Sequence, residues 1–179
     1  MSKKYTIHAG HNPNGKIACG ASDYIDESTE ARYLVSKIMS INKGHTISNC
    51  TVNNGTSQTD VLRKIVAKCN GIKGGFDVSI HFNACSHSTS DKKVKGAEVW
   101  LYDGVSQCLP QAKQVLKNLE KLGFKNRGCK FSKTLYFLKN TKKPAMLIEV
   151  CFVDDQDDAR LYKSKKDLVA KAIYDGLSL

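Results

Sequence analysis

The apolar positions along the chain follow two spacings, one typical of strands and one typical of helices. Short apolar runs bounded by glycine or polar turn residues predict strands, and apolar residues three to four positions apart predict helices with one buried face. The predicted strands cover residues 5–9, 46–52, 78–82, 97–101, 135–138 and 146–152. The predicted helices carry apolar stripes within residues 31–39, 58–70, 105–119 and 168–177. This alternation predicts an α/β fold, with a mostly parallel twisted sheet and helices on both faces.

The length of the chain and its longest apolar run limit the organisation that we expect. One hydrophobic core accounts for 179 residues, so we expect a single domain over residues 1–179. Glu149 interrupts the longest apolar run, which falls well short of the roughly 18 residues of a membrane span, so we expect no membrane insertion. His8 follows a basic start before any apolar signal region could form, so we expect no signal peptide.

The chain is strongly basic, and its cysteines are not spaced for metal binding. It has 28 lysines and arginines against 17 acidic residues, a net charge of +11. This charge attracts polyanions such as nucleic acid, anionic lipid or cell-wall polymers. The seven cysteines are odd in number and form no Cys-x-x-Cys pair, which argues against a thiolate zinc site and a complete disulfide framework. We therefore expect reduced thiols.

Four polar side chains are predicted to meet at the carboxyl-terminal edge of the sheet, where ligands bind in open α/β folds. His11 follows the first predicted strand, and Glu27 opens the first helix. His81 falls near the end of the third predicted strand, and Glu149 lies late in the last one. This edge is therefore the predicted functional site.

Each of these residues has a structural explanation when it is taken alone. A strand histidine such as His81 is commonly structural, and an acid such as Glu27 in the first turn complements the helix dipole. Glu149 within its apolar run needs a partner, because an unpaired buried carboxylate costs several kcal/mol, and a salt bridge would satisfy it. Together, however, two imidazoles and one carboxylate match a zinc site whose fourth position is open, with Glu149 left as the acid/base. Nitrogen and oxygen ligands also suit other divalent metals.

Four motifs resemble the zinc-dependent N-acetylmuramoyl-L-alanine amidases of the Amidase_3 family, in particular the catalytic domains of bacteriophage endolysins that attack Gram-positive hosts. In chain order they are Gly10-His11, Glu27 at the head of a helix, Ser79-Ile80-His81-Phe82-Asn83-Ala84 and Ile148-Glu149-Val150-Cys151-Phe152-Val153-Asp154. The resemblance covers about residues 5–177, and Asn126-Arg127-Gly128 and Leu135-Tyr136-Phe137-Leu138 have counterparts in those lysins. It implies a phosphorylase/hydrolase-like fold related to that of the zinc exopeptidases.

The resemblance also implies a role for each candidate residue. His11, Glu27 and His81 carry over as ligands of one zinc ion, and Glu149 carries over as the catalytic glutamate. Asn83, on the same strand face as His81, is a further candidate for substrate binding. The implied reaction is hydrolysis of the amide bond between N-acetylmuramic acid and L-alanine of the stem peptide in peptidoglycan.

Some positions leave the site open to other interpretations. Many family members have Asp where this chain has His8, which would compete as a ligand if it turned toward the site. Glu30 lies one turn from Glu27 on the same helical face and is the second choice for the carboxylate ligand. The polar loop over residues 86–95 is predicted to be mobile and exposed, and the role of His87 within it stays open.

The resemblance implies a cellular setting as well. Lysins of this kind usually lack an export signal, so we expect synthesis in the host cytoplasm and access to the wall after a holin opens the membrane. The charge of +11 favours adsorption to anionic Gram-positive wall polymers, and salt weakens such attraction. We expect no wall-binding domain within residues 1–179.

Three other functions compete with this interpretation. A zinc exopeptidase would need a cation for the terminal carboxylate of its substrate, and Arg63, Arg127 and Arg160 are available. An amidase of bacterial sporulation or autolysis would catalyse the same reaction in another setting. A nucleic-acid-binding module is disfavoured, because aromatic residues make up only 8% of the chain and no nucleic-acid-binding motif is present, so we expect no nucleic acid partner.

Overall fold

A six-stranded sheet forms the centre of the fold in the computed structural model, which describes residues 2–85 and 87–179. The strands are β1 (Lys4–Ala9), β2 (Thr46–Asn49), β3 (Phe76–Asn83), β4 (Ala97–Leu101), β5 (Asn126–Phe131) and β6 (Ala145–Phe152). The helices are α1 (Glu27–Ser40), α2 (Gln58–Gly71), α3 (Leu109–Lys121), α4 (Tyr136–Asn140) and α5 (Gln156–Leu177). Most of these elements lie where the apolar pattern predicts them.

Four neighbouring strands are parallel and bring their carboxyl-terminal ends to one edge of the sheet. The spatial order is β2-β1-β3-β6-β4-β5, and β1, β2, β3 and β6 run in the same direction. Strand β4 is antiparallel to β6, and β5 is parallel to β4. The prediction of a mostly parallel α/β sheet is confirmed. The chain segments that follow β1 and β3 therefore meet near the end of β6, as the position of the predicted site requires.

Different helices cover the two faces of the sheet. Ile7 and Val78 belong to the larger apolar core, which packs against α1, α3 and α5. Leu147 and Phe137 belong to a smaller core on the opposite face, beside α2 and α4. Because side chains alternate along a strand, the second face also carries a stripe of polar side chains. Its fully buried members are Thr6, His8, Asp77, Ser79 and Glu98.

Side-chain caps determine where three of the helices begin. The Asp26 carboxylate accepts a hydrogen bond from the backbone N–H of Thr29 (2.7 Å), so α1 begins at Glu27. Ser57 and Asp155 cap α2 and α5 in the same way. Each cap contributes about 1 kcal/mol. The Asp26 cap also places the Glu27 carboxylate at the positive end of the α1 dipole.

Two elements differ from the sequence prediction in type. Residues 135–138 were expected to form a strand, but this segment enters the short helix α4, which buries Phe137 and Leu138 against α2. A single helical turn has too few residues to show a period, so an apolar tetrapeptide fits either state. Strand β5 was not predicted, because it is a half-exposed edge strand whose sequence, Asn-Arg-Gly-Cys-Lys-Phe, shows no regular alternation.

Element boundaries differ as well. Strand β2 ends at Asn49, and Val105, which was included in the third helical stripe, is exposed and precedes α3. Helix α5 begins at Gln156, well before its predicted apolar stripe, because its polar first turns pack beside the segment that ends in Gly96. Buried Asp158 accepts a hydrogen bond from the Gly96 N–H (3.0 Å). The spacing of apolar residues indicates only the part of a helix that packs on the core, so it did not predict the polar first turns of α5.

The loop predicted over residues 86–95 is largely exposed and is tied to the start of α5. Ser88 donates a hydrogen bond to Asp155 (2.8 Å), and Ser90 donates one to Asp157 (2.6 Å). Ser86 lies outside the described residues, and the mobility of the loop stays a prediction.

Among the helices of the described chain, none combines the length and apolar character that a membrane span requires.

Candidate metal and catalytic site

Three of the predicted site residues converge at the carboxyl-terminal edge of the sheet. His11 lies directly after β1, Glu27 is the first residue of α1, and His81 lies in β3. The Glu27 Oε1 atom is 3.0 Å from His81 Nδ1 and 3.3 Å from His11 Nε2. The three potential ligand atoms lie within 4.8 Å of one another. Zinc bonds of about 2.0–2.2 Å place neighbouring ligand atoms roughly 3–4 Å apart, and the two distances from Glu27 Oε1 match that spacing.

The Glu27 carboxylate is the electrostatic centre of the cluster. Burial alone would raise the pKa of Glu27, but its hydrogen bonds to His11 and His81 outweigh burial and hold that pKa below its ordinary value. Oε2 also accepts a hydrogen bond from the Ala21 N–H (2.9 Å), and Oε1 accepts one from the Phe82 N–H (3.2 Å). Burial lowers the pKa of His11, and the hydrogen bond to Glu27 outweighs that effect and leaves it raised. A buried ionised carboxylate between two imidazoles is a donor set that suits zinc and other divalent cations.

Two glycines make room for these side chains. A Cβ atom on Gly10 would overlap the imidazole ring of His81. Gly20 has φ = +82°, and a Cβ atom there would lie 2.5 Å from Glu27 Oε2 and 2.9 Å from His11 Cδ2. Any other residue at these positions would displace a candidate ligand, so the glycines are part of the site.

The loop that carries His11 is held by residues that sequence reasoning missed. Arg32, five residues along α1 from Glu27, donates hydrogen bonds to the carbonyl oxygens of His11 (2.6 Å) and Val52 (2.9 Å). Asn12 exchanges two side-chain hydrogen bonds with the backbone of Gly55 (2.7 and 3.0 Å). Both anchors use backbone partners far along the chain, and such partners leave no periodic pattern from which the sequence could have predicted them.

Glu149 lies on β6 and is the direct register partner of His81 on β3. Its Oε2 atom is buried and makes no hydrogen bond to the described residues. Burial raises the pKa of Glu149 to about 8, and the negative charges of Glu27 and Glu98 add to the effect. A carboxyl group with a pKa near neutrality can both accept and return a proton.

Four residues, which we call the Glu98 cluster, form a hydrogen-bonded group beside Glu149. Glu98 on β4 is the cross-strand partner of Glu149, and its carboxylate accepts hydrogen bonds from Asn83 Nδ2 (3.1 Å), Trp100 Nε1 (3.1 Å) and Arg127 Nε (2.8 Å). Asn83 Oδ1 also accepts a hydrogen bond from the Ala84 N–H (2.8 Å). The predicted substrate-binding residue Asn83 is thus already engaged at both ends of its amide.

A groove of about 270 Å³ opens along the Glu98 cluster toward Glu149. Trp100, Leu135 and Leu147 make part of its lining apolar, and the carboxyl groups of Glu98 and Glu149 with the amide of Asn83 supply polar groups. The remaining lining residue is Ser132. A short extended peptide would therefore find both apolar surface and hydrogen-bonding partners here.

The remaining sequence candidates lie outside the three-residue cluster. Glu30 accepts a hydrogen bond from the Tyr162 hydroxyl (2.8 Å) and lies 3.6 Å from Lys166 Nζ. His87 is exposed, and it contacts Asp23 (2.7 Å) and Tyr24 (3.1 Å) at the rim.

His8 is fully buried on the sheet face that carries His81. Its Nδ1 donates a hydrogen bond to the Ala9 carbonyl (3.2 Å), and its ring packs edge-on against Phe137, with 4.8 Å between ring centres. Burial lowers the pKa of His8 to about 3, and His81 and His11 contribute to the shift. His8 is thus held as a neutral core residue in this arrangement.

Comparisons with known proteins identify the family of the chain. The profile of the Amidase_3 family, described as N-acetylmuramoyl-L-alanine amidase, matches residues 6–178. An uncharacterised protein of Clostridium perfringens is 31% identical over 177 residues, which are 98% of this chain and 51% of that protein. The endolysin of Bacillus phage SPP1 is 31% identical over 190 residues, 99% of this chain and 66% of the endolysin.

A solved structure is similar over nearly the whole chain. The catalytic domain of the CD27L endolysin, which targets Clostridia Difficile, superposes with a TM-score of 0.84 at 25% identity, covering 98% of this chain and 97% of that domain. The chain spans about half the length of the two Clostridium perfringens proteins that it matches. The resemblance drawn from the four motifs is confirmed, and the chain belongs to the N-acetylmuramoyl-L-alanine amidase family, Amidase_3.

Proposed function

We propose that this protein is a zinc-dependent peptidoglycan hydrolase that cleaves the amide bond between N-acetylmuramic acid and L-alanine of the stem peptide. The observation that carries the proposal is the convergence of His11, Glu27 and His81, with Glu149 on the neighbouring strand. The family of the chain supplies the bond that is cleaved. The described residues are proposed to act as one catalytic domain.

His11, Glu27 and His81 would hold one zinc ion, with a fourth position left open as catalytic zinc sites require. When bound, the ion would polarise the scissile carbonyl and make the attacking water more acidic. The surrounding backbone donors, the N–H groups of Ala21 and Phe82, keep the Glu27 carboxylate in its orientation.

Glu149 is proposed to move the proton of the reaction. Its buried Oε2 atom, which has no other partner among the described residues, accepts a proton from the attacking water. The same atom returns the proton to the amine nitrogen of L-alanine as the C–N bond breaks, so the amine leaves neutral. The raised pKa of Glu149 suits both steps, because the group then holds and releases a proton near neutral pH.

The proposal is tested by product analysis on purified Gram-positive cell walls. We expect digestion to expose new L-alanine amino termini without new reducing sugars, and we expect the activity to disappear with a chelator and return with zinc. The release of single terminal amino acids would instead indicate the zinc exopeptidase. New reducing ends would show that a glycosidic bond is cleaved and would contradict the proposal.

We also propose a role in phage-induced lysis of the host cell. The similarity to the SPP1 endolysin covers 99% of this chain, whereas the similarities to the amidase LytC and to the germination-specific amidase of Bacillus subtilis cover 64% and 65%. A bacterial sporulation or autolysis role is the second candidate, and the similarity to those two Bacillus subtilis amidases favours it. Expression together with a holin separates the two: lysis that requires the holin supports cytoplasmic synthesis and release to the wall.

The net charge of +11 supports a second contact with the wall. Anionic wall polymers are the polyanions that surround the proposed substrate, so they are the proposed electrostatic partner rather than nucleic acid or a membrane. Sedimentation with walls from which the anionic polymers have been extracted tests this step. Unchanged binding to extracted walls would show that the anionic polymers are not the electrostatic partner.

A further inference from the structure

The Glu98 cluster fixes one cation beside the candidate active site. Arg127 Nε donates to Glu98 Oε2 (2.8 Å), and the guanidinium carbon lies 4.9 Å from the centre of the Phe152 ring. An ion pair on one side and an aromatic ring on another restrict the plane of the guanidinium. Its two terminal nitrogens, Nη1 and Nη2, donate no hydrogen bond to any described residue, and a third of the side chain is exposed (33%). Arg127 therefore carries an oriented pair of N–H donors that no described residue uses.

The strand register places this cation at a defined distance from Glu149. Glu149 on β6 pairs with Glu98 on β4, and Arg127 on β5 contacts Glu98 from the next strand. Adjacent strands lie about 4.8 Å apart, so the backbones of Glu149 and Arg127 are roughly 10 Å apart, on either side of Glu98. An extended peptide advances about 3.5 Å per residue. A group on the second residue after the scissile bond can therefore reach Arg127 while that bond lies beside Glu149.

We propose that Arg127 binds a free carboxylate on the second residue of the leaving peptide, and so selects stem peptides that carry this charge. The inference rests on the proposed amidase function and adds the substrate group that the site recognises, a free carboxylate. A glutamyl residue joined through its γ-carboxyl group keeps an α-carboxyl group, which is either free or present as an amide. Two parallel N–H donors on a planar guanidinium match a carboxylate, and an amide supplies only one matching acceptor.

A second cation close to Arg127 provides a matched control. Lys130 lies three residues along β5 and is the register partner of Trp100, which also lines the groove. It carries the same charge as Arg127 on the same strand, but its flexible ammonium group has no fork geometry. If general positive charge attracts the substrate, both residues should contribute. If a fixed guanidinium reads a carboxylate, only Arg127 should.

The test compares two soluble substrates with each zinc-loaded protein. Both are N-acetylmuramoyl-L-alanyl-γ-D-glutamyl-L-lysine amide, and the glutamyl α-group is a carboxylate in one and an amide in the other. We expect the wild-type protein to favour the carboxylate about tenfold in kcat/KM, the scale of one charge-assisted hydrogen bond. The preference should fall to about twofold or less in Arg127→Gln, take an intermediate value in Arg127→Lys, and stay near tenfold in Lys130→Gln.

The ratio of the two kcat/KM values does not depend on how much of a variant is folded, so a destabilised Arg127→Gln still gives a result. Equal hydrolysis of both substrates by the wild-type protein would overturn the proposal. A tenfold preference that survives in Arg127→Gln, or that is lost in Lys130→Gln, would overturn it as well. If the wild-type protein cleaves neither substrate, the amidase function itself fails, and that result is distinct from a lost preference.

Discussion

The buried histidine on β1 gives a prediction whose size follows from the structure. His8 is 1% exposed, and burial lowers its pKa to about 3, whereas a histidine in an unfolded chain has a pKa of about 6.5. Between these values the unfolded chain binds the proton and the folded protein does not. Acidification therefore favours unfolding, so the stability that depends on neutral His8 is complete above pH 6.5 and is lost progressively as the pH falls toward 3.

At pH 5 the neutral, buried His8 lowers the free energy of unfolding by about 2 kcal/mol relative to its value at neutral pH. The reason is that pH 5 lies 1.5 units below the pKa of the unfolded histidine, and each unit corresponds to about 1.4 kcal/mol. The perturbation is His8→Leu, which keeps an apolar contact with Phe137 and removes the buried Nε2 atom that lacks a partner among the described residues. We expect the variant to lose about 2 kcal/mol less of its free energy of unfolding than the wild-type protein between pH 7.5 and pH 5.

Urea unfolding of the metal-free protein at the two pH values measures this difference, and the chain contains one tryptophan, Trp100, whose fluorescence can report it. His87→Gln is the control, because His87 is exposed, and we expect it to keep the pH dependence of the wild-type protein. If His8→Leu loses as much stability on acidification as the wild-type protein does, His8 is not held neutral in the core.

Four further predictions concern the site and the surface. Glu149→Gln should keep its fold and bind zinc, yet lose about 10²- to 10⁴-fold in turnover on wall fragments, the usual contribution of a proton-transferring group; near-normal turnover would exclude Glu149 from the chemistry. His81→Ala should lower both zinc content by elemental analysis and activity, and unchanged zinc content would exclude His81 as a ligand. Gly10→Ala should reduce zinc affinity, measured by calorimetry, because its Cβ overlaps the His81 ring, and full affinity would show that the ring can move without cost. Adsorption to intact walls should weaken as salt rises from 0.05 to 0.5 M, where the Debye length falls below about 10 Å; salt-independent binding would contradict an electrostatic attachment.

Much of the site could be predicted because its residues lie at recognisable places in the chain. His11 follows a clear strand, Glu27 follows a helix-capping aspartate, and His81 and Glu149 interrupt apolar runs. Parallel strands bring such positions to one edge of the sheet, so local signals were enough to expect the cluster. The choice of Glu27 over Glu30 came from its place at the helix start. In the structure Glu27 contacts His11 and His81, whereas Glu30 contacts Tyr162.

The residues that could not be predicted act through long-range pairing. In the sequence, Glu98 looks like an ordinary polar position in a strand of alternating apolar and polar residues. Only the antiparallel pairing of β4 with β6 brings it beside Glu149. Arg32 holds the His11 loop through carbonyl oxygens, which leave no mark in a sequence. Strand β5 was missed for a related reason: its pairing with β4 at the sheet edge, rather than an apolar pattern, keeps Arg127 in place.

The central claim is that His11, Glu27 and His81 bind a single divalent ion beside Glu149. Anomalous X-ray diffraction at the zinc absorption edge, on crystals grown with equimolar zinc, tests it most directly. The account predicts one strong peak at about 2.0–2.2 Å from each of the three side chains. A peak held by other residues, or no peak at this cluster, would contradict it.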